Sequence, residues 1–194
     1  MRKIIIALML TALAALWSCG DDPIPKPVGL FRIDIPEHGY KTLDTVALPY
    51  SFDYADYAKI INTNNEKPYW IDVYYPHFKA KIYITYFKMD TTLAKYIDDC
   101  HTMTYKHTSK ATNIEKEVVV FPEHKVYGLI YYIEGSEAAS PLNFYLTDST
   151  ERFARGALYF NLEPNNDSLQ PVIESIEKDI KQMIKTFRWK PQQN

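Results

Sequence analysis

Leu169, Val172, Ile173, Ile176, Ile180, Met183, Ile184 and Phe187 recur at helical spacing and form one continuous apolar stripe. The pairs Glu174–Lys178 and Glu177–Lys181 stand four apart on the other face, in the order that favours helical ion pairs. A helix with so long a stripe has to bury it on a broad apolar surface, which the rest of the chain must provide. Pro171 suits a first helical turn, where its missing N–H costs nothing, and Pro191 marks the end of ordered chain.

That surface reads as β. Trp70–Tyr75 and Lys79–Phe87 predict two strands joined as a hairpin through Pro76-His77-Phe78. In the second, Ile82, Ile84 and Tyr86 share one face, and Lys81, Tyr83 and Thr85 the other. Glu117–Phe121, Val126–Glu134, Leu142–Thr147 and Gly156–Leu162 follow with short links, the first through Pro122-Glu123-His124, and predict an antiparallel meander. Phe31–Ile35 reads as a short strand stopped by Pro36, Leu48–Phe52 as an edge strand, and Asn62-Thr63-Asn64-Asn65 as a loop. Asp90 fits the N-cap of a helix over about residues 91–107, with Leu93, Tyr96, Ile97, Cys100, Met103 and His107 on its apolar face. Sixteen tyrosines against six glycines suit strands with aromatic pairs. The expected fold is α+β: an antiparallel β-sheet with two main amphipathic helices packed on it. The order resembles the PsbP/Mog1-like sandwich.

The N-terminus has a different character. After Met1-Arg2-Lys3, Ile4 to Trp17 is apolar apart from Thr11 and too short to span a bilayer comfortably. Residues 1–18 are therefore expected to be a signal peptide. Leu16-Trp17-Ser18-Cys19 resembles the bacterial lipobox, which makes Cys19 the expected lipid attachment site. Diacylglycerol on its thiol and an acyl chain such as palmitate on the new amine would give a stable anchor, where a single chain binds reversibly. Asp21 and Asp22 resemble a weak form of the Bacteroidetes signal for the outer face of the outer membrane, or serve as a solvated tether. Pro23, Pro25 and Pro27 stiffen residues 19–30 into a spacer, leaving one globular domain over 31–190.

Charge and cysteine count exclude several classes. Lysine plus arginine is 22 and aspartate plus glutamate 24. Loss of residues 1–18 removes two positive charges, leaving 20 against 24 and a net charge of -4. No nucleic-acid partner is expected, because phosphate binding needs clustered positive charge. Two cysteines cannot build a disulfide framework or a four-thiolate zinc site. With Cys19 acylated, Cys100 has no partner in the chain and sits on an apolar stripe, as a buried inert thiol.

The five histidines show no metal-binding spacing, and His101 and His107 lie roughly 120° apart on one helix. Asp98 and Asp99 diverge by about 100° and cannot face one another across a substrate. There is no G-x-S-x-G elbow, Walker loop or G-x-G-x-x-G. No catalytic residue, metal or cofactor is expected, and the chain is expected not to be an enzyme. The densest polar and aromatic stretch is 144–168, where Asp148, Arg152 and Arg155 surround one loop and Tyr159 follows on the next strand. Asp148 can accept turn N–H groups and Arg155 can pair with it, giving either a structural clamp or a partner-binding edge.

Several segments carry a resemblance. Pro25-Lys26-Pro27-Val28-Gly29-Leu30-Phe31-Arg32-Ile33-Asp34-Ile35-Pro36, Leu48-Pro49-Tyr50-Ser51-Phe52, Thr147-Asp148-Ser149-Thr150, Arg155-Gly156-Ala157-Leu158-Tyr159-Phe160-Asn161 and Asp167-Ser168-Leu169-Gln170-Pro171-Val172 resemble the gliding-motility lipoprotein GldD family of Bacteroidetes. With the lipobox they cover nearly the whole chain in the family's order. The resemblance implies a non-enzymatic cell-envelope lipoprotein that supports gliding motility and the assembly or stability of the type 9 secretion machinery. It implies membrane attachment through the lipid, with the outer membrane favoured over the inner, and other envelope gliding or type 9 secretion proteins as partners. It brings no catalytic residues. The alternative is a surface lipoprotein that binds a small molecule or glycan, for which exposed tyrosines are suited. A Tyr-lined concave pocket would favour that reading, and a flat apolar patch the first.

Overall fold

The computed structural model describes residues 33–62, 67–106, 110–162 and 164–191. All of them fall in the unit Phe31–Asn194. The signal peptide, Cys19 and the proline spacer lie outside the described residues, as do Phe31, Arg32, His107 and most of the loop at 62–65.

Ten strands and two longer helices are described. The first half holds β1 (Tyr40–Leu43), β2 (Tyr50–Ala55), β3 (Lys59–Ile61), β4 (Ile71–Tyr75) and β5 (Ala80–Lys88), then helix α1 (Leu93–Tyr105). The second half holds β6 (Asn113–Phe121), β7 (Val126–Glu134), β8 (Leu142–Thr147), β9 (Arg152–Phe160), helix α2 (Asn166–Thr186) and β10 (Arg188–Trp189). Seven strands form one sheet in the order β3-β4-β5-β9-β8-β7-β6, and β1-β2-β10 form a smaller one. Every pairing is antiparallel.

Strand alternation gives the large sheet two apolar faces. Ile82 and Ile84 of β5, Phe144 and Leu146 of β8, and Leu158 of β9 meet Val172, Ile176, Ile180, Met183 and Ile184 of α2. Each such side chain contributes roughly 1.5–3 kcal/mol by leaving water. Gly156 belongs to this side: a Cβ there would come within 2.1 Å of the Phe144 ring, so the strand needs glycine at that point. The small sheet closes the same core through stacked rings, with Tyr50 and Phe52 at 5.5 and 6.2 Å from Phe187. On the opposite face a smaller cluster joins Tyr131, Ile133, Tyr145 and Phe153 to Leu93, Tyr96, Ile97 and Cys100 of α1.

Several expectations need correction. Residues 33–35 form no strand, although Ile33 packs on the core; Pro36 just beyond them cannot donate to a ladder. The strand expected at Leu48–Phe52 begins at Tyr50, after Pro49, and lies between β1 and β10 rather than at an edge. Asp90 does not cap α1: Thr92 holds that position, and Asp90 Oδ1 accepts from the Tyr96 hydroxyl at 2.8 Å. On α1 the inward path steps from Cys100 to Thr104, which leaves Met103 47% exposed. β6 starts at Asn113 and β9 at Arg152, both four residues early, because their charged leading residues mask the alternation. Pro171 is not in the first turn; α2 starts at Asn166, capped by Asn165 Oδ1 accepting from Ser168 N at 3.4 Å. The expected Glu177–Lys181 pair does form, at 2.9 Å, and exposed Lys181 also reaches Glu117 of β6 at 3.4 Å and lies 5.3 Å from the Tyr132 ring centroid.

Candidate functional site

Helix α1 covers only part of the sheet face it packs on. Beneath its C-terminal half, β5, β7, β8 and β9 frame a cavity of about 320 Å³. Its floor is Ala157, which stands in register between Tyr83 on one side and Asn143 on the other. A small residue at this crossing leaves the space that a larger one would fill. Cys100, Met103 and Thr104 of α1 also line it, with Tyr131 and Tyr159 from the sheet.

The charge in the cavity is Arg155, half-buried at the centre of β9. Its Nε donates to Thr85 Oγ1 at 3.0 Å, and its guanidinium carbon lies 5.3 Å from the Phe87 ring centroid. Nη1 meets the Met103 sulfur at 2.8 Å, a weak acceptor for a charged donor. Among the described residues no carboxylate lies within ion-pair distance of Arg155. Lys106 adds a second cation, and no acid belongs to the lining. Tyr131 is 1% exposed, and its hydroxyl is buried with no hydrogen-bond partner. Burial raises the Tyr131 pKa well above the ordinary phenol range, so the group is a neutral donor. Burial likewise pushes the Cys100 thiol up to about 11, although Arg155 pulls the other way. A thiol held protonated is a poor nucleophile.

The four loop residues singled out by sequence divide into two groups. Asp148 and Arg152 form a local clamp. Asp148 Oδ1 accepts from the backbone N–H groups of Thr150, Glu151 and Arg152 at 3.0, 2.9 and 2.9 Å. Burial disfavours the carboxylate, but these donors outweigh it and hold the Asp148 pKa below the usual range. Its partner across the turn is Arg152, at 3.7 Å, and not Arg155. Arg155 and Tyr159 instead point to the cavity side of β9, with the Tyr159 ring 5.6 Å from that of Tyr83.

A second polar cluster escaped the sequence reading. Asp179, 0% exposed and inside the α2 stripe, takes His38 Nδ1 on Oδ1 and the Tyr57 hydroxyl on Oδ2, each at 2.7 Å. This carboxylate ties two segments ahead of the sheet to the helix. Only its place one residue from Ile180 hinted at burial. Among the described residues no group of three or more His, Cys, Asp or Glu is arranged to hold a metal. No described helix is long and apolar enough to cross a membrane.

The fold and site together define an α+β domain whose sheet is sealed by a long helix on one face and half covered, over a cationic pocket, on the other. The family model described as gliding motility lipoprotein GldD matches residues 20–189, and the chain belongs to that family. Membership makes it a gliding motility lipoprotein, membrane-anchored in the cell envelope, in a family not known as enzymatic. Among solved structures it is similar to the solution structure of cyanobacterial PsbP (CyanoP) from Synechocystis sp. PCC 6803. That likeness has 11% identity and a TM-score of 0.48, and covers 84% of this chain and 99% of the other. No curated protein matches it.

Proposed function

We propose that this chain is a non-enzymatic lipoprotein, anchored through Cys19 in the outer membrane, whose domain docks other gliding or type 9 secretion proteins and supports their assembly. The observation that carries the reading is the edge strand β6. It is nine residues long and ends the large sheet. On its α1 side Val118 and Val120 are 70% and 56% exposed. Monomeric proteins usually blunt long apolar edges, because an unpaired edge recruits another strand. A partner strand added to β6 would bring both valines under cover.

The test places a photo-cross-linking residue at Val118 of the full lipoprotein in its own cells. The expected product is an adduct with a gliding or type 9 secretion protein, lost when Val120→Lys is added. If Val118 captures no more than the same probe at exposed Lys178, the reading fails. The cavity supports a second reading, in which the domain also binds a small molecule.

A further inference from the structure

We infer that the cavity under α1 binds a small organic carboxylate with an apolar body, its head group on Arg155 and its body over Ala157 against the paired rings of Tyr83 and Tyr159. The inference deepens the small-molecule reading and is independent of docking at β6. Three observations converge. The first is an unmatched cation. Arg155 is fixed by Thr85 and the Phe87 ring, yet its remaining donors meet only sulfur, the Met103 thioether and the Cys100 thiol, both weak acceptors. A planar guanidinium held in this way suits bidentate pairing with a carboxylate, shorter and stronger than a neutral hydrogen bond. The second is the buried Tyr131 hydroxyl on the same cavity, an orphaned donor of the kind that buried sites ordinarily satisfy. The third is the character of the walls. Ala157 leaves depth, Tyr83 and Tyr159 supply aromatic surface, and the lining carries cations and no acids.

Size and charge narrow the ligand. About 320 Å³ lies at the small end of ligand pockets, which run to about 1,000 Å³. An oligosaccharide would not fit inside, and a neutral sugar would leave Arg155 without a counter-charge. Lys106, at the C-terminal end of α1, raises the local concentration of anions without having to touch the ligand.

The experiment uses the full lipoprotein in nanodiscs and calorimetric titration with three probes: 3-phenylpropionate, its neutral amide and phenyl phosphate. The acid should bind at least tenfold more tightly than the amide. Arg155→Gln should weaken the acid at least tenfold and leave the amide unchanged. Ala157→Leu, which fills the floor, should abolish binding of both. An acid that binds no better than its amide, or that still binds to the Ala157→Leu protein, overturns the inference. Preference for phenyl phosphate over the acid overturns the carboxylate assignment. If Arg155→Gln does not fold, the acid-to-amide ratio and Ala157→Leu still decide. The Val118 cross-link reads the other surface, so either proposal can fail alone.

Discussion

Ile180→Asp tests how a single carboxylate is treated at two adjacent positions of α2. Ile180 and Asp179 are both 0% exposed. At 179 the carboxylate receives two donors, from His38 and Tyr57. At 180 the side chain joins the apolar core beneath the sheet, among Ile82, Leu158 and Ile176. The substitution forfeits about 1.5–3 kcal/mol of apolar burial. An unsatisfied buried polar group adds about 1–3 kcal/mol, and more if it stays charged. The sum, roughly 2.5–6 kcal/mol before any charge penalty, is a large part of the whole stability of a domain, about 5–15 kcal/mol. The variant should be unfolded or melt far below the wild type, whereas exposed Lys178→Ala should stay within about 0.5 kcal/mol. Urea titration followed by circular dichroism reads both. A cooperative Ile180→Asp transition with an undiminished midpoint would refute the placement of α2 in the core.

Asp179→Ala should cost about 1–3 kcal/mol, and a double-mutant cycle with Tyr57→Phe should show coupling above about 0.5 kcal/mol; additive effects would mean that their 2.7 Å contact contributes nothing. Cys100 should resist a water-soluble thiol reagent in the folded protein at pH 7.5, with labelling rising as pH approaches its value of about 11. Because that pKa is raised, the linked stability is present below the ordinary value of 9.0 and lost as pH rises through about 11, which alkaline denaturation should show. Asp148 works in reverse: its lowered pKa contributes stability above the ordinary 3.8 that is lost as pH falls below it, so Asp148→Ala should flatten the acid limb of the stability curve. Cys19→Ala should remove the lipid mass and abolish detergent-phase partitioning; a wild-type mature chain without lipid mass would contradict the anchor.

What was legible in the sequence followed periodicity. Val126–Glu134 and Leu142–Thr147 were read with their true bounds, because each has turn residues at its ends and neighbours close along the chain. The α2 stripe was legible for the same reason, and Asp179 was not, since its donors lie some 120–140 residues away. Arg155 and Tyr159 stood out as a polar-aromatic cluster. Their cavity partners Tyr83, Tyr131 and Asn143 did not, because they come from three other strands and meet only through the pairings of β5 with β9, β9 with β8 and β8 with β7. The Asp148–Arg155 pairing failed for a local reason: strand alternation turns Arg155 toward α1, and Arg152 remains beside the turn.

That β5–β9 pairing also governs when the molecule can take shape. Ala80 lies opposite Phe160, and in the small sheet Ser51 lies opposite Arg188. A chain delivered N-terminus first, from a ribosome or through a translocation pore, can pair β1 with β2 and β4 with β3 and β5, but the outer neighbours β9 and β10 arrive only with its later part. Contacts this distant are also slow to close once available. Its early hairpins therefore stay uncovered until β9 and α2 follow, and the small sheet is completed only by Arg188 and Trp189. Isolated hairpins are marginally stable in water, so for an envelope lipoprotein the delay weakens folding ahead of delivery.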